Sequence, residues 1–354
     1  MTSPRSDSAP LRAWIAQRHA AGAFSGVALV ARGTTRVFEQ AVGLADREGN
    51  VVNTVDTRFN IGSINKTFTS VAIAQLAEAG SLDFHATIGT YLPEYPNRDA
   101  ARRITVHHLL THTAGLPPYM GPRYLHERGR VRTLDDLLSF FASDPPQFEP
   151  GSRQEYSNSG YVVLGRIVEE VGRTPYESYV RTHIYDRAGM SQTGFDCNSP
   201  TVAAKGYMIV GLDGRPVMSR SPAPSPTPEP GALKENTPML DRGNPAGGGY
   251  STAGDLIAFA DALRAGRLLG PAMTGHLLNG TFSGAWQPKY GYALREQFVG
   301  GRRFVGNGGG APGINAEFRF QPEGEYSVVV LSNFAPPSAT TVLEHILDTV
   351  EVLD

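Results

Sequence analysis

The run Gly62-Ser63-Ile64-Asn65-Lys66-Thr67 places a hydroxyl and an amine three residues apart at the head of an apolar-rich stretch. At helical spacing the two share a face within about one turn. A serine hydroxyl is a poor nucleophile unless a neighbouring base takes its proton. A lysine can be that base where burial and nearby positive dipoles lower its pKa. The start of a helix also offers N–H groups and positive potential where an oxyanion would form. Ser-x-x-Lys alone is common by chance, so its surroundings decide its meaning.

Two further runs supply matching chemistry. Phe148-Glu149-Pro150-Gly151 precedes Glu155-Tyr156-Ser157-Asn158-Ser159-Gly160-Tyr161. On an extended stretch Tyr156 and Asn158 point the same way. A phenol beside a lysine can shuttle protons, and an amide can fix the lysine and bind a substrate carbonyl. Near the C-terminus, Gly306-Asn307-Gly308-Gly309-Gly310-Ala311-Pro312-Gly313 permits close backbone approach and exposes N–H donors. Gly308 to Gly313 also satisfies G-x-G-x-x-G, but an alternating strand pattern follows instead of a helix, which excludes a dinucleotide site.

The elements that must position these residues are legible as periodicities. Residues 10–21 read as a helix, and Gly26–Ala31 and Thr35–Val42 as a hairpin turning at Arg32-Gly33-Thr34. From Ser63, the apolar residues Ile64, Phe68, Val71, Ala72, Leu76 and Ala79 form one helical face, opposed by a polar face of Ser63, Lys66, Thr67 and Ser70. Gly80 is its natural stop. The stretch from about 85 to 200 holds short helical patterns, among them Val106–Leu110, Leu134–Phe141 and Tyr161–Val171. Alternating prolines at 219–231 predict polyproline II, read as a surface crossover. Strands return with Ile314, Ala316, Phe318 and Phe320 alternating with polar residues and with the apolar run Tyr326–Leu331; a last helix spans Ala339–Val352. Strands at both ends and helices between predict a discontinuous α/β domain, 1–80 with 245–354, closed by terminal helices. A mainly helical segment, 81–244, is inserted in it, and the cleft between the two is the expected binding site.

Composition bounds the function. The chain has 354 residues and a formal net charge of -2, which gives no electrostatic reason to expect nucleic acid or an anionic membrane as partner. With 40% hydrophobic and 19% charged residues it can fill a core. Cys197 is the single cysteine, so no intramolecular disulfide or cysteine-based metal cluster can form. No apolar h-region follows the polar N-terminus, and no segment has the roughly 18 apolar residues needed to span a bilayer. The expected location is cytoplasmic. His107, His108 and His112 lack the Glu of a His-Glu-x-x-His site, so no metal is expected. No Gly-x-Ser-x-Gly occurs, which speaks against an α/β-hydrolase.

The three chemical runs, in this order, resemble the serine β-lactamase and penicillin-binding-protein superfamily, and within it the branch of class C β-lactamases, family VIII carboxylesterases and D-aminopeptidases. The likeness extends from about Phe24 to Asn333. It includes Ile104 through Leu116, Gly189-Met190, Gly206-Tyr207, Gly248-Gly249-Tyr250-Ser251-Thr252 and Leu331-Ser332-Asn333. The resemblance implies an α+β, transpeptidase-like fold, with an antiparallel sheet flanked by terminal helices plus the helical insertion. It implies Ser63 as the nucleophile of an acyl-enzyme and Lys66 with Tyr156 as the acid/base pair. Asn158 would orient Lys66 and the acyl side chain, and the N–H groups of Ser63 and Gly310 would form an oxyanion hole. Tyr119, after Leu116-Pro117-Pro118, falls where such proteins place a substrate-side polar residue; lining the pocket and simple packing are both open to it.

The third motif departs from the pattern. It usually begins with Lys or His, followed by any residue and then Gly; here Asn307 holds the first place and Gly309 the third. The cation that would meet a substrate carboxylate is lost, and a charge-assisted hydrogen bond is about twice as strong as a neutral one. Neutral acyl donors such as esters are therefore favoured. The leading expectation is a cofactor-free serine hydrolase acting on a small-molecule carboxylic ester. Its alternatives are β-lactam or D-amino-acid amide hydrolysis, acyl transfer, and a non-catalytic ligand-binding homologue. The oligomeric state is left open.

Overall fold

The computed structural model describes residues 8–196, 202–210, 233–236, 242–279 and 290–349. The proline-rich run at 219–231 and Cys197 lie outside the described residues. The frame is a six-stranded antiparallel sheet. Its strands are β1 (Gly26–Arg32), β2 (Thr35–Val42), β3 (Arg295–Val299), β4 (Arg302–Ala311), β5 (Ile314–Phe320) and β6 (Tyr326–Ser332). They lie side by side in the order β2-β1-β6-β5-β4-β3. The N-terminal hairpin thus docks on the C-terminal meander through β1 and β6, with Leu29 opposite Val329.

Both faces of the sheet are covered. On one face, α1 (Ala9–Ala20) and α7 (Ser338–Thr349) bury Leu11, Ile15, Val342 and Ile346 against Ala28, Val30, Val328 and Val330. Trp14 of α1 stacks on His345 of α7 with ring centroids 4.0 Å apart, tying the two chain ends together. The other face packs on α2 (Asn65–Glu78) and α6 (Ala253–Arg264), with α5 (Asn158–Gly172) beyond. The larger apolar core is continuous from Val27 and Leu29 of the sheet through Phe68 and Val71 of α2 to Val163 and Ile167 of α5. Two shorter helices complete the part that bears on the site: α3 (Val106–Leu110) and α4 (Pro122–Glu127).

Burying both faces changes two of the sequence expectations. The alternation in β5 predicts a solvated side, yet Asn315, Glu317 and Arg319 are buried as well. Asn315 Oδ1 accepts the N–H groups of Ala339 and Thr340 at 2.7 and 3.0 Å, which caps α7 from a neighbouring strand. Glu317 and Arg319 pair at 3.2 Å. Helix α2 likewise lacks the exposed polar face that its periodicity suggested. Lys66, Thr67, Thr69 and Ser70 are all buried, because α2 runs through the centre of the molecule between sheet and helices. Their polar atoms bond to neighbours instead: Thr69 Oγ1 to the Tyr176 hydroxyl at 2.6 Å and to the Pro245 carbonyl at 2.8 Å.

Candidate active site

Ser63 sits in a single 3₁₀ turn, Gly62–Ile64, that leads directly into α2. The turn hangs from a two-residue strand, Phe59–Asn60, paired with Tyr250–Ser251. Asn60 Oδ1 accepts the N–H of Gly62 at 2.9 Å. Gly62 has φ +51, and a Cβ there would crowd the backbone of Gly309 at 3.1 Å. From the other side, a Cβ on Gly309 would stand 2.1 Å from the Ile61 carbonyl oxygen. These two glycines let β4 lie flush against the turn, so the backbones of Ser63 and Gly310 run side by side. The glycine run read from the sequence is therefore part of a strand whose work is close approach.

Three side chains from separate parts of the chain converge on one point. Ser63 Oγ lies 2.6 Å from the Tyr156 hydroxyl and 3.1 Å from Lys66 Nζ. Lys66 Nζ also donates to Asn158 Oδ1 at 2.7 Å and to the Ala246 carbonyl. The two carbonyls can only accept, so they fix two of the amine's N–H groups. The remaining tetrahedral position faces Ser63 Oγ. A neutral amine presents a lone pair there, and the ammonium a third N–H. Lys66 is fully buried, and burial lowers its pKa, with the nearby Tyr156 opposing that shift. The arrangement can therefore take a proton from Ser63 and hold it.

Tyr156 stands at the mouth, 37% exposed, with its ring 4.7 Å from Lys66 Nζ. Ser157 is extended and caps α5 through its side chain, so Asn158 opens the helix instead of continuing an alternating strand. Behind Tyr156 lies His112, whose ring packs on it at 4.6 Å. His112 Nδ1 accepts the Ser157 N–H at 3.2 Å, which leaves the proton on Nε2 to donate to the Tyr290 hydroxyl at 3.2 Å. Burial holds His112 neutral, well below the usual imidazole range. Tyr290 in turn is hydrogen-bonded to Asn307. His112 thus belongs to the support of the site, a role its sequence position does not announce. His107 bonds to the Tyr292 hydroxyl at 2.9 Å, and no group of three metal-ligating side chains forms among the described residues.

Asn307 is only 2% exposed. Its Nδ2 donates to the Ser63 carbonyl at 3.0 Å and its Oδ1 accepts the Gly308 N–H at 2.9 Å. The amide lies beneath the nucleophile turn and has no face on the cleft, whose lining runs from Ser63 and Asn158 to Gly310, Arg128 and Arg242. Gly309 is sealed against Ile61, whereas Gly310 and Tyr119 reach the cleft wall. The turn Asn244–Gly247 was not singled out in the sequence. Asn244 Oδ1 accepts the Ala246 N–H at 2.8 Å, and this turn aims the Ala246 carbonyl at Lys66. The asparagine beside the run Gly248-Gly249-Tyr250 is its only sequence trace.

The profile of the family described as Beta-lactamase matches residues 11–351. The chain belongs to that family. Among its Beta-lactamase-family relatives is PbpX of Bacillus subtilis (strain 168), assigned by its name to the penicillin-binding proteins. It is 31% identical over 88% of this chain and 71% of its own length. Esterase EstB of Burkholderia gladioli is 33% identical over 68% of this chain and 65% of its own. The crystal structure of a penicillin-binding protein from Bacillus halodurans superposes with a TM-score of 0.79 and 30% identity, covering 95% of this chain and 98% of that one. The expected transpeptidase-like architecture, a sheet with terminal helices and a helical insertion, is the fold found. No helix among the described residues is long and apolar enough to cross a membrane.

Proposed function

We propose that this member of the Beta-lactamase family hydrolyses carboxylic esters through an acyl-enzyme on Ser63. The observation that carries the reading is the hydrogen-bonded set of Ser63 Oγ, Lys66 Nζ and Tyr156 Oη, with the other amine positions held by Asn158 and Ala246. Ser63 Oγ attacks the ester carbonyl carbon while its proton passes to Lys66, directly or by way of the Tyr156 hydroxyl. The oxyanion that forms is met by the N–H groups of Ser63 and Gly310. Its collapse breaks the acyl C–O bond, and the leaving alkoxide takes a proton from Tyr156, which regains one from Lys66. Water then attacks the acyl-enzyme, losing its proton to the same base and returning Ser63 as the alcohol.

Esters are preferred over lactams and peptides in this reading because Asn307 is uncharged and buried. The esterase among the relatives supports the same preference. β-Lactam or D-amino-acid amide hydrolysis, acyl transfer to an alcohol or amine, and ligand binding without turnover are the competing outcomes. A fluorophosphonate probe is expected to add its mass to the peptide carrying Ser63, and labelling that persists in Ser63→Ala refutes the nucleophile. Hydrolysis of 4-nitrophenyl butyrate is expected with a larger kcat/KM than that of a chromogenic cephalosporin. The reverse order refutes the ester preference.

A further inference from the structure

The cleft over Ser63 encloses about 280 Å³, at the small end of ligand sites. Its described lining contains four primary amides, Asn60, Asn158, Asn236 and Asn244, two guanidinium groups, Arg128 and Arg242, and no carboxylate. Met120, Leu125 and Ile314 add apolar wall to the same cleft. Tyr156 borders an adjoining cavity with Gln147, Phe148 and Glu155, which shares Tyr119, Met120 and Asn158 with this cleft. A leaving group protonated by Tyr156 departs on the Tyr156 side, so the cleft receives the other substituent of the carbonyl, the acyl chain.

The charged part of the cleft wall is shared with a second cavity. Arg128 and Arg242 also border a larger neighbouring cavity, whose wall carries Asp135, Glu169, Glu170 and Glu177 together with Arg132, Arg166 and Arg173. Arg242 pairs with Glu177, but their side chains are 62% and 37% exposed, so the pair is weak and open to sharing. An anion in the cleft over Ser63 would meet both guanidinium groups and no carboxylate among the described lining residues.

We propose that the acyl group taken by this site ends in a carboxylate, held between Arg128 and Arg242: the substrate is a half-ester of a dicarboxylic acid. This rests on the acyl-enzyme reading above and names its substrate class. The step itself is unchanged; the carboxylate takes no part in bond making. The test compares mono-4-nitrophenyl adipate with 4-nitrophenyl hexanoate, whose chains match apart from the terminal charge. The adipate-to-hexanoate ratio of kcat/KM is expected to fall about tenfold in the Arg128→Gln/Arg242→Gln double variant, mainly through KM. It is also expected to shrink in high salt and to be partly kept by Arg→Lys replacements. An unchanged ratio in the double variant, or a wild type that prefers hexanoate, overturns the proposal. A second measurement needs no turnover: calorimetric titration of monomethyl adipate into Ser63→Ala. Binding that disappears with both arginines supports the proposal, and binding that survives their loss overturns it. Absent Ser63 labelling and ester cleavage would overturn the acyl-enzyme reading, while this titration would still decide the arginines.

Discussion

A lysine with no exposed surface is costly unless its charge is suppressed or satisfied, and Lys66 is managed both ways. Desolvation lowers its pKa, so the free amine persists to lower pH than an exposed lysine allows. For a neutral ester, kcat/KM is therefore expected to rise with pH through this lowered titration and then level off; Lys66→Met should lose about 10²–10⁴-fold and the pH step with it. The same shift has a stability sign. Below 10.5 the unfolded lysine binds a proton that the folded one resists. The wild type is accordingly penalised increasingly as pH falls from 10.5 to the lowered value, and by a constant amount beneath it. The unfolding free energy of wild type minus that of Lys66→Met should climb with pH across that window in urea titrations, and a flat difference would refute the shift. Ser63, Lys66, Tyr156 and Asn158 were all legible as chemistry from residue type and spacing. His112 was not, because its contribution is a tautomer and a ring contact set by Ser157, Tyr290 and Tyr156.

At the level of elements, the nucleophile turn depends on how closely β4 can approach it. Gly309→Ala would drive a methyl group to within 2.1 Å of the Ile61 carbonyl, a backbone atom that cannot swing aside. The turn must then shift, at a cost of about 1–3 kcal/mol, and Gly310 is displaced from Ser63. The expected result is a lower urea midpoint together with a loss of kcat larger than the loss of stability. A soluble variant with normal ester turnover would show that the close approach is dispensable. Periodicity located Thr35–Val42, Val106–Leu110 and Ile314–Phe320 at the bounds observed, since each is short and strongly patterned. It failed on solvent exposure in α2 and β5. A polar residue reads as solvated in a sequence, yet a buried hydroxyl or amide costs little once a neighbouring strand or helix supplies its partner.

For the whole molecule, the sheet separates two cores with different duties. The core under α1 and α7 lies on the face away from Ser63. Ile346→Ala there should destabilise by about 2–4 kcal/mol, read as a shift in the urea midpoint. The KM for 4-nitrophenyl butyrate should be unaltered. A changed KM would mean that this layer is coupled to the cleft. The other core is continuous from the sheet through α2 to α5, and the cleft is lined by Ser63 and Gly310 together with Tyr119 and Asn158.

By itself the sequence determined the family, through the resemblance its motifs carry, and located the terminal helices, the N-terminal hairpin, α2, α3, the last two strands and the side chains of reactive type. The elements follow from local rules: periodicity, turn chemistry, and spacing within one helical turn. Only the tertiary structure decided that Asn307 lies under Ser63 and not in the cleft, that Ala246 completes the shell around Lys66, and that Arg128 and Arg242 share a wall. Residues separated by a hundred or more positions meet only through packing and strand register, and a one-dimensional pattern contains neither.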